Sequence, residues 1–364
     1  MFYTLKDLNF KKFFLKTKKQ KTFFNSNLFP IELKRFYESK NKKLLDNFEK
    51  RNNGLELANT RSNLLDEIIS KCYNYYSLEL NKNNKNFKCS IIATGGFGRK
   101  ELAPYSDIDI LFLHSLKSKK DLEDFVKPIL HTLWNLGLRV GYATRTSKEC
   151  ILYSKKKLDV CTSILESRFV AGNKAIYESL MKQYKSKIIE KYGKKFIKGI
   201  FLERKKRLIE TGDTRYLLEP NVKNGKGGIR DLQTLDWIGK FVYGITKLKD
   251  LINYKILDKN SVESFLKAKK FFWTVRSHLH IFSERPNEQL NFEYQSLIAK
   301  KIGYKKTKAL LHVEKFMKEY FFTAKRVSDL IRIYCTLIED KEKLVPGIQI
   351  KKSKEIKIDN FVIK

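Results

Sequence analysis

The chain has 364 residues, 42% of them hydrophobic and 13% aromatic. It is long enough for two or three domains with proper cores and too apolar to be a disordered chain. Its 75 Lys and Arg against 40 Asp and Glu give a formal net charge of +35, which would suit nucleic acid. Since the excess is mostly lysine spread through every segment, as biased codon usage also produces, nucleic acid is not the expected partner.

The cysteines and the apolar runs indicate the compartment. The five cysteines are widely spaced and form no CxxC pair, which argues against a disulfide framework or a zinc site and suits a reducing cytoplasm. No apolar run approaches the length of a membrane span. At the start of the chain, lysines interrupt the hydrophobic residues every few positions. Residues 1–29 are therefore expected to form a basic arm. We expect a cytoplasmic protein without a membrane partner.

Helices and strands are predicted to alternate in the first half of the chain. Residues 30–80 carry apolar residues at helical spacing and predict two helices. "FKCSIIATG" predicts a strand that ends at a tight glycine loop, and "DIDILFLH" predicts a second strand. "KDLEDFVKPILHTLWNLG" predicts an amphipathic helix, and "LRVGYATRT" a third strand. "LDVCTSILESRFVAG" fits either another strand or a buried helix.

From residue 173 onward the pattern is almost wholly helical, apart from one glycine-rich interruption, "NVKNGKGGIRDLQ". The last residues predict a short extended tail. The expected fold is α+β, with a mixed α/β domain followed by an all-α domain. The expected division is an arm at 1–29, an α/β domain with N-terminal helices at 30–172, a helical domain at 173–340 and a tail at 341–364.

Two carboxylates, Asp107 and Asp109, stand in an otherwise apolar run. Since strand side chains alternate between faces, the two point the same way, about 7 Å apart. Unpaired carboxylates in such a strand require a cation. A pair of this kind suits Mg²⁺, with Mn²⁺ as the alternative, because these ions bind carboxylates together with substrate phosphates. The pattern predicts catalytic, metal-binding aspartates.

A glycine-rich loop precedes these carboxylates. Gly95 and Gly96 allow the backbone to approach a phosphate closely, Arg99 can pair with phosphate oxygens, and Ser106 adds a hydroxyl. The structural alternative is a plain turn followed by a paired surface charge. The order of loop, basic residue and Asp-x-Asp on strand–loop–strand favours a site for a nucleotide triphosphate.

At this point the residues resemble a known family. "GGFGRKELAPYSDIDILFL" resembles the nucleotidyltransferase fold of the DNA polymerase β type, and specifically the "GGYGRGEL-x-PYSDIDLL" form of bacterial protein-PII uridylyltransferases. "TSILESRFVAGN", "NGKGGIRDLQTLDWI" and "RSHLHIFSERPNEQLNFEYQ" resemble further blocks of that family. The resemblance runs from about Gly54 to Glu339. Lys100 replaces a usual glycine and Glu288 a usual aspartate, and neither change removes a catalytic carboxylate.

The resemblance implies a polymerase-β-type nucleotidyltransferase domain followed by a helical domain. It also implies Mg²⁺-dependent transfer of UMP from UTP to a tyrosine of the PII nitrogen-signalling protein, with release of diphosphate. The family also carries an HD hydrolase domain and ACT domains, but none of the five histidines in this chain is followed by Asp. The chain is expected to be either a fragment or a shortened enzyme. It is expected to transfer UMP one way and without sensing glutamine.

Enzymes of this fold usually add a third carboxylate from a neighbouring strand, to orient or deprotonate the nucleophile. The expected strand has none, since Gly141 stands about where one would be sought. Glu166 is the first candidate, and Asp159 is nearly as good. The structural alternative is an ion pair of Glu166 with Arg168 or Arg145.

The interruption "NGKGGIRDLQ" places a loop before a helix whose N-terminus can receive an anion. Lys226 and Arg230 would add positive charge for the nucleotide, and Asp231 would cap the helix. An ordinary glycine-rich turn explains the same residues equally well. His278 and His280 are two residues apart, which is wrong for one metal on one helix face, so they are interpreted as packing or interface residues.

Two other functions remain open. An RNA nucleotidyltransferase of the CCA-adding or polyadenylating kind would suit the charge, but the threonine and arginine-rich motif that usually follow Asp-x-Asp are missing. A non-catalytic, nucleotide-binding regulator with a degenerate site would explain a missing third carboxylate.

Overall fold

The computed structural model describes residues 28–81, 88–115, 119–212, 214, 216–307, 309–344, 357–358 and 361–362. Nearly all of the predicted basic arm and most of the predicted tail lie outside these residues. Two helices open the described chain, as predicted: α1 (Leu28–Arg51) and α2 (Gly54–Asn81). They are separated at Asn52, which has a left-handed φ of 49°. Asparagine is one of the few residues that adopt this conformation readily, so the helix turns sharply there.

A four-stranded mixed sheet follows, in the order β3-β2-β1-β4. The strands are β1 (Cys89–Ala93), β2 (Ile108–His114), β3 (Val140–Arg145) and β4 (Arg168–Gly172). Strand β1 is antiparallel to both of its neighbours, whereas β2 and β3 are parallel. Parallel strands need a crossover connection, which α4 (Lys119–Asn135) supplies. All three predicted strands and this helix are present.

The glycine-rich loop after β1 forms a single helical turn, α3 (Gly95–Gly98). Helices α5 (Ser147–Lys156) and α6 (Leu158–Leu165) connect β3 to β4. The start of α5 is fixed by a capping box between Thr146 and Glu149. The ambiguous segment "LDVCTSILESRFVAG" therefore contains both predicted possibilities, the buried helix α6 followed by strand β4.

After β4 the chain is helical, as predicted, apart from a two-stranded hairpin near its end. The elements are α7 (Lys174–Tyr184), a π-helical segment (Lys185–Ile189), α8 (Glu190–Glu210), α9 (Ile229–Tyr243), a 3₁₀ turn (Leu248–Ile252), α10 (Lys259–Ser283), α11 (Phe292–Ile302), α12 (His312–Leu344), β5 (Lys357–Ile358) and β6 (Phe361–Val362). The predicted α+β class, a small mixed sheet followed by helices, is confirmed.

The sheet separates two hydrophobic cores, and the alternation along β2 decides which side chains enter each. Ile108, Ile110 and Phe112 pack into the core shared with α1, α2 and α4. Leu111 and Leu113 pack into the core built mainly by α6–α12. Because side chains alternate along a strand, Asp109 lies on the same face as Leu111. The carboxylates are therefore directed toward the helical part of the protein.

Within the part of the chain that the structure describes, every helix is too short or too polar to cross a lipid bilayer.

Candidate nucleotide-binding site

The carboxylate of Asp109 lies between two glycines. A Cβ atom at Gly95 would lie 2.7 Å from Asp109 Oδ2, and one at Gly141 would lie 2.9 Å from Oδ1. Gly95 also has a left-handed φ of +54°, which residues with side chains rarely adopt. Gly141 is the direct partner of Asp109 across the parallel strands β2 and β3. Gly141, the position on β3 where a third carboxylate would be sought, therefore lies directly beside the Asp109 side chain.

Asp107 lies one residue before β2, at the rim of the same cleft. Its Oδ1 atom is 2.8 Å from Arg139 Nε, and both side chains are more than half exposed. Burial, and then the nearby charge of Asp107, raise the pKa of the Asp109 carboxyl above its usual range. Two carboxylates that repel each other form a site that a bound cation would stabilise.

The residues present fit a magnesium ion. The two glycines leave space around the Asp109 oxygens, and Mg²⁺ typically takes one or two carboxylates, with waters and substrate phosphates as its other ligands. Among the described residues, no group of three or more His, Cys, Asp or Glu side chains is arranged to hold a metal. An ion here would therefore depend on Asp107, Asp109 and the phosphates of a nucleotide.

The other loop residues predicted for this site also line the cleft, namely Gly96, Arg99 and Ser106. Gly96 does not have a left-handed φ, but a Cβ there would lie 3.0 Å from the Glu101 carbonyl oxygen. The side chain of Ser106 accepts a hydrogen bond from Arg276 Nη2 at 3.4 Å. A side chain at either glycine would therefore come too close to its neighbours. Of the two, Gly95 has the left-handed backbone conformation that other residues rarely adopt.

Arg99 already has two carboxylate partners. Its Nε atom lies 2.9 Å from Glu101 Oε2, and its Nη1 donates to Glu166 Oε2. Glu101 also pairs with Lys269 of α10, at 2.6 Å. Burial acts against the charged guanidinium, but the charges of Glu166 and Glu101 prevail and raise the pKa of Arg99. Arg99 thus joins the loop to the helices, and its charge is largely balanced before any phosphate arrives.

The two candidates for a third carboxylate lie in different environments. Glu166 is 5% exposed and is paired with Arg99 rather than with Arg168 or Arg145. Burial raises the pKa of Glu166, although Arg99 opposes the shift. Asp159, in the first turn of α6, is exposed on the wall of the cleft. Only Asp159 is accessible to an incoming hydroxyl group.

Besides Arg99, three cationic side chains line the cleft together with the aspartates: Lys223, Arg230 and Arg276. Lys223 lies in the loop before α9, and the backbone N–H of Val222 donates to the Glu288 carbonyl at 2.8 Å, which fixes this loop. Arg276 reaches the cleft from α10. The cleft has a volume of about 680 Å³, within the range of small-molecule sites.

The cationic side chains repel one another. Burial, followed by the charges of Arg276, Arg230 and Arg99, lowers the pKa of Lys223 to about 8, although Glu288 opposes the shift. Burial and the charge of Arg99 lower the pKa of Arg230 to about 10. Burial would raise the pKa of Glu288, but the charge of Arg276 lowers it to about 2. An anion with several negative charges would relieve this repulsion.

Two residues singled out in the loop before α9 and in its first turn lie away from the cleft. Lys226 does not line this cleft; it lies instead at a separate cavity, with Arg204 and Arg332. Asp231 does not cap its helix through the usual N-cap position; it is fully buried and accepts hydrogen bonds from Arg204, Arg207 and the Gly227 N–H. A Cβ at Gly227 would lie 2.0 Å from the Ala324 carbonyl, so this glycine serves packing against α12.

Arg230 lines the cleft as predicted, but sequence reasoning missed Lys223, Arg276 and Trp237. Lys223 directly precedes the glycine-rich run, and its position there was the available signal. Arg276 lies in the family-like "RSHLH" stretch, so its inclusion in that block was a second signal. His278 Nε2 donates a 2.7 Å hydrogen bond to Asn52 Oδ1, and the ring packs on Phe48. It is an interface residue, as interpreted.

The sheet order, the glycine turn and the paired aspartates define a nucleotidyltransferase fold, and residues 76–170 match the family model described as a nucleotidyltransferase domain. Residues 195–335 match the family model described as GlnD PII-uridylyltransferase. The resemblance to bacterial protein-PII uridylyltransferases is therefore confirmed, and it includes the helical part of the chain.

Curated relatives named bifunctional uridylyltransferase/uridylyl-removing enzyme extend this match. The one from Rhodospirillum rubrum is 38% identical over 305 residues, which are 83% of this chain and 33% of the relative. The one from Azospirillum brasilense is 40% identical over 277 residues, 75% of this chain and 30% of the relative. The chain thus spans about a third of the length of these curated relatives.

Proposed function

We propose that this protein transfers UMP from UTP to a tyrosine hydroxyl of a PII-type signalling protein and releases diphosphate. The observation that carries the proposal is the composition of the cleft, in which Asp107 and Asp109 share one cavity with Lys223, Arg230 and Arg276. Carboxylates for a metal ion and mutually repelling cations for phosphates are the two requirements of a metal–triphosphate site. The names of the curated relatives support uridylyl transfer, and the description of the family model supports PII as the acceptor. The tyrosine is what the resemblance to that family implies.

The roles of the chain's own residues follow from their positions. Asp107 and Asp109 would hold Mg²⁺ or Mn²⁺. The helical turn at Gly95 and Gly96 would lie against the phosphates, because neither glycine presents a side chain there. Burial, followed by the charges of Arg276, Arg230 and Arg99, weakens proton binding by Lys223. The negative charge of a triphosphate would stabilise the protonated amine and so bind tightly to it.

The reaction forms one bond and breaks one. The tyrosine oxygen bonds to the α-phosphorus, the bond between that phosphorus and the bridging oxygen breaks, and diphosphate leaves with the bridging oxygen. Asp159 accepts the proton of the tyrosine hydroxyl, since it is the exposed carboxylate on the cleft wall. A bound divalent ion neutralises phosphate charge and stabilises the attacking and leaving oxygens.

The test is incubation of the purified protein with α-labelled UTP, Mg²⁺ and a purified PII protein. Label is expected on wild-type PII and not on PII in which the acceptor tyrosine is replaced by phenylalanine. Asp159→Asn is expected to slow the transfer, with the loss smallest at high pH, where the hydroxyl ionises more readily. Label that appears on RNA, or UTP binding without transfer to any acceptor, would overturn the proposal.

A further inference from the structure

Three side chains that line the cleft carry a buried polar atom without a hydrogen-bond partner within the described residues: Oε1 of Glu166, the indole Nε1 of Trp237 and Oε2 of Glu203. Glu166 and Trp237 are 5% and 6% exposed, respectively, whereas the Glu203 side chain is 38% exposed. Buried polar groups are nearly always paired. A carboxylate oxygen and an N–H group of two almost wholly buried residues along one cavity are therefore positioned for a ligand that supplies both partners.

Both side chains are fixed in place. Arg99 binds the other oxygen of Glu166, so the Glu166 carboxylate cannot turn away without breaking an ion pair. The Arg230 guanidinium lies over the Trp237 ring, 5.5 Å from its centroid, and donates to Gln233 Oε1 at 2.9 Å. The Glu166 acceptor and the Trp237 donor are thus held in fixed positions, as selective recognition of a ligand requires.

The surroundings fit a planar ring rather than a phosphate. Ile200 is fully buried and Leu158 is partly buried, and both line the cavity. Three helices meet here, since α6 packs against α8 and α9. By contrast, the metal-binding candidates Asp107 and Asp109 are exposed. A nucleotide would place its charged end against the aspartates and its base among the helices.

The geometry points to Glu166 and Trp237 as the residues that select uracil, an inference that rests on the proposed function. The uracil ring carries an N3–H donor between two carbonyl oxygens, so the N–H donates to Glu166 and a carbonyl accepts from Trp237. Cytosine and adenine present a lone pair in place of this N–H, and a carboxylate oxygen repels that lone pair. Guanine has a comparable N–H but a larger ring system. Glu166 is then a specificity residue and not the base that accepts the tyrosine proton.

The first test needs no variant of the protein. Binding of UTP, CTP, ATP, GTP and N3-methyl-UTP is measured by calorimetry with Ca²⁺ in place of Mg²⁺ and without PII. UTP is expected to bind best, and N3-methyl-UTP at least ~10-fold more weakly, whereas 5-methyl-UTP, which keeps the N3–H, should bind as UTP does. Equal affinities for UTP and N3-methyl-UTP would overturn the inference. Failure to bind any triphosphate would instead overturn the proposed function.

The second test compares kcat/KM for UTP and CTP in PII labelling. Glu166→Gln should lower the UTP-to-CTP ratio roughly 10- to 100-fold, because an amide can also donate to cytosine. Trp237→Phe keeps the ring and should raise the KM for UTP about 10-fold. Glu203→Gln tests the competing carboxylate, since Glu203 also lines the cleft with an unpaired buried Oε2 atom but its side chain is 38% exposed and lies beside Arg207. It should leave the ratio unchanged.

The outcomes separate the two possible roles of Glu166. A fall in kcat for both nucleotides with an unchanged ratio would make Glu166 a proton acceptor and overturn the inference. A shift of the ratio in Glu203→Gln rather than in Glu166→Gln would also overturn it. If Glu166→Gln fails to fold for lack of its pair with Arg99, the Trp237→Phe affinity and the N3-methyl-UTP measurement decide the question.

Discussion

The two walls of the cleft are built in different ways. The acidic wall comes from residues 89–114, where a strand, a helical turn and a second strand bring Gly95 beside Asp109. The basic wall is assembled from Lys223, Arg230 and Arg276, which lie on a loop and two helices far apart along the chain. The comparison teaches that the acidic wall is a local motif, whereas the basic wall exists only in the folded protein.

The walls also differ in how their charges are balanced. On the loop side, Arg99 is paired with Glu101 and Glu166, and Glu101 with Lys269. On the helical side, burial and then repulsion from Arg276 lower the pKa of Lys223 to about 8. The first arrangement stabilises the position of the loop without a ligand. The repulsion among the cations of the second arrangement decreases when an anion binds, so this arrangement favours binding of a negatively charged ligand.

The largest effect is expected for the acidic wall. Asp109→Asn removes one charge from a site that depends on two carboxylates, so UMP transfer should fall roughly 1,000-fold, while the circular dichroism and melting temperature stay close to wild type. Asp46→Asn is the control, since Asp46 is an exposed aspartate of α1. Transfer at more than a tenth of the wild-type rate would place the metal site elsewhere.

The second prediction concerns the space around Asp109. Gly95→Ala introduces a Cβ at 2.7 Å from Oδ2 at a left-handed φ, so activity should fall about 100-fold and stability by about 1–3 kcal/mol. Gly137→Ala is a matched control, because Gly137 has a φ of +73° but nothing within 4 Å of its Cβ position. It should lose stability alone. Equal losses of activity in both variants would show that strain, not the contact with Asp109, is responsible.

The basic wall should respond to pH. Because the pKa of Lys223 is about 8, its proton is lost as pH rises through that value, and UTP affinity should fall about 10-fold between pH 7 and 9.5. Lys223→Arg should keep its charge and show a smaller decline. The measurement is the Kd for UTP across this range. A flat wild-type profile would mean that Lys223 does not contact the phosphates.

For Lys223, a rise in pH should weaken UTP binding but increase the stability of the folded protein. The unfolded chain binds the Lys223 proton more tightly than the native state does, so this group makes the protein more stable as pH rises from about 8 toward the usual lysine pKa. Lys223→Met should therefore bind UTP about 10-fold more weakly and yet melt at a higher temperature at pH 7. A lower melting temperature would indicate that the contact with Glu288 outweighs the repulsion.

The smallest effect is expected at the rim. Arg139 and Asp107 form an ion pair with side chains 61% and 52% exposed, and pairs of this kind contribute about 0–1 kcal/mol. Arg139→Gln should change the free energy of unfolding by less than ~1 kcal/mol and transfer by no more than a few-fold. Urea titration and the labelling assay check both values. A loss as large as that of Asp109→Asn would assign Arg139 to the phosphates.

The amino-acid sequence by itself determined the local features of this protein. Alternation and spacing predicted β1, β2, β3, α4 and the helices after residue 173, because each depends on contacts within a few residues. The same local order placed Asp107 and Asp109 behind a glycine turn. It also carried the family resemblance that the comparisons confirmed.

Only the tertiary structure decided which charged side chains meet. Glu166 and Asp159 are seven residues apart, but burial and Arg99 separate their environments. Lys226 is three residues from Lys223, and yet it lies at a different cavity. Spacing along a loop does not determine direction, because the loop path is fixed by long-range contacts such as those of Gly227 with α12 and Val222 with Glu288. The sequence therefore located the glycine turn and the paired aspartates, and the fold determined which cationic side chains share their cleft.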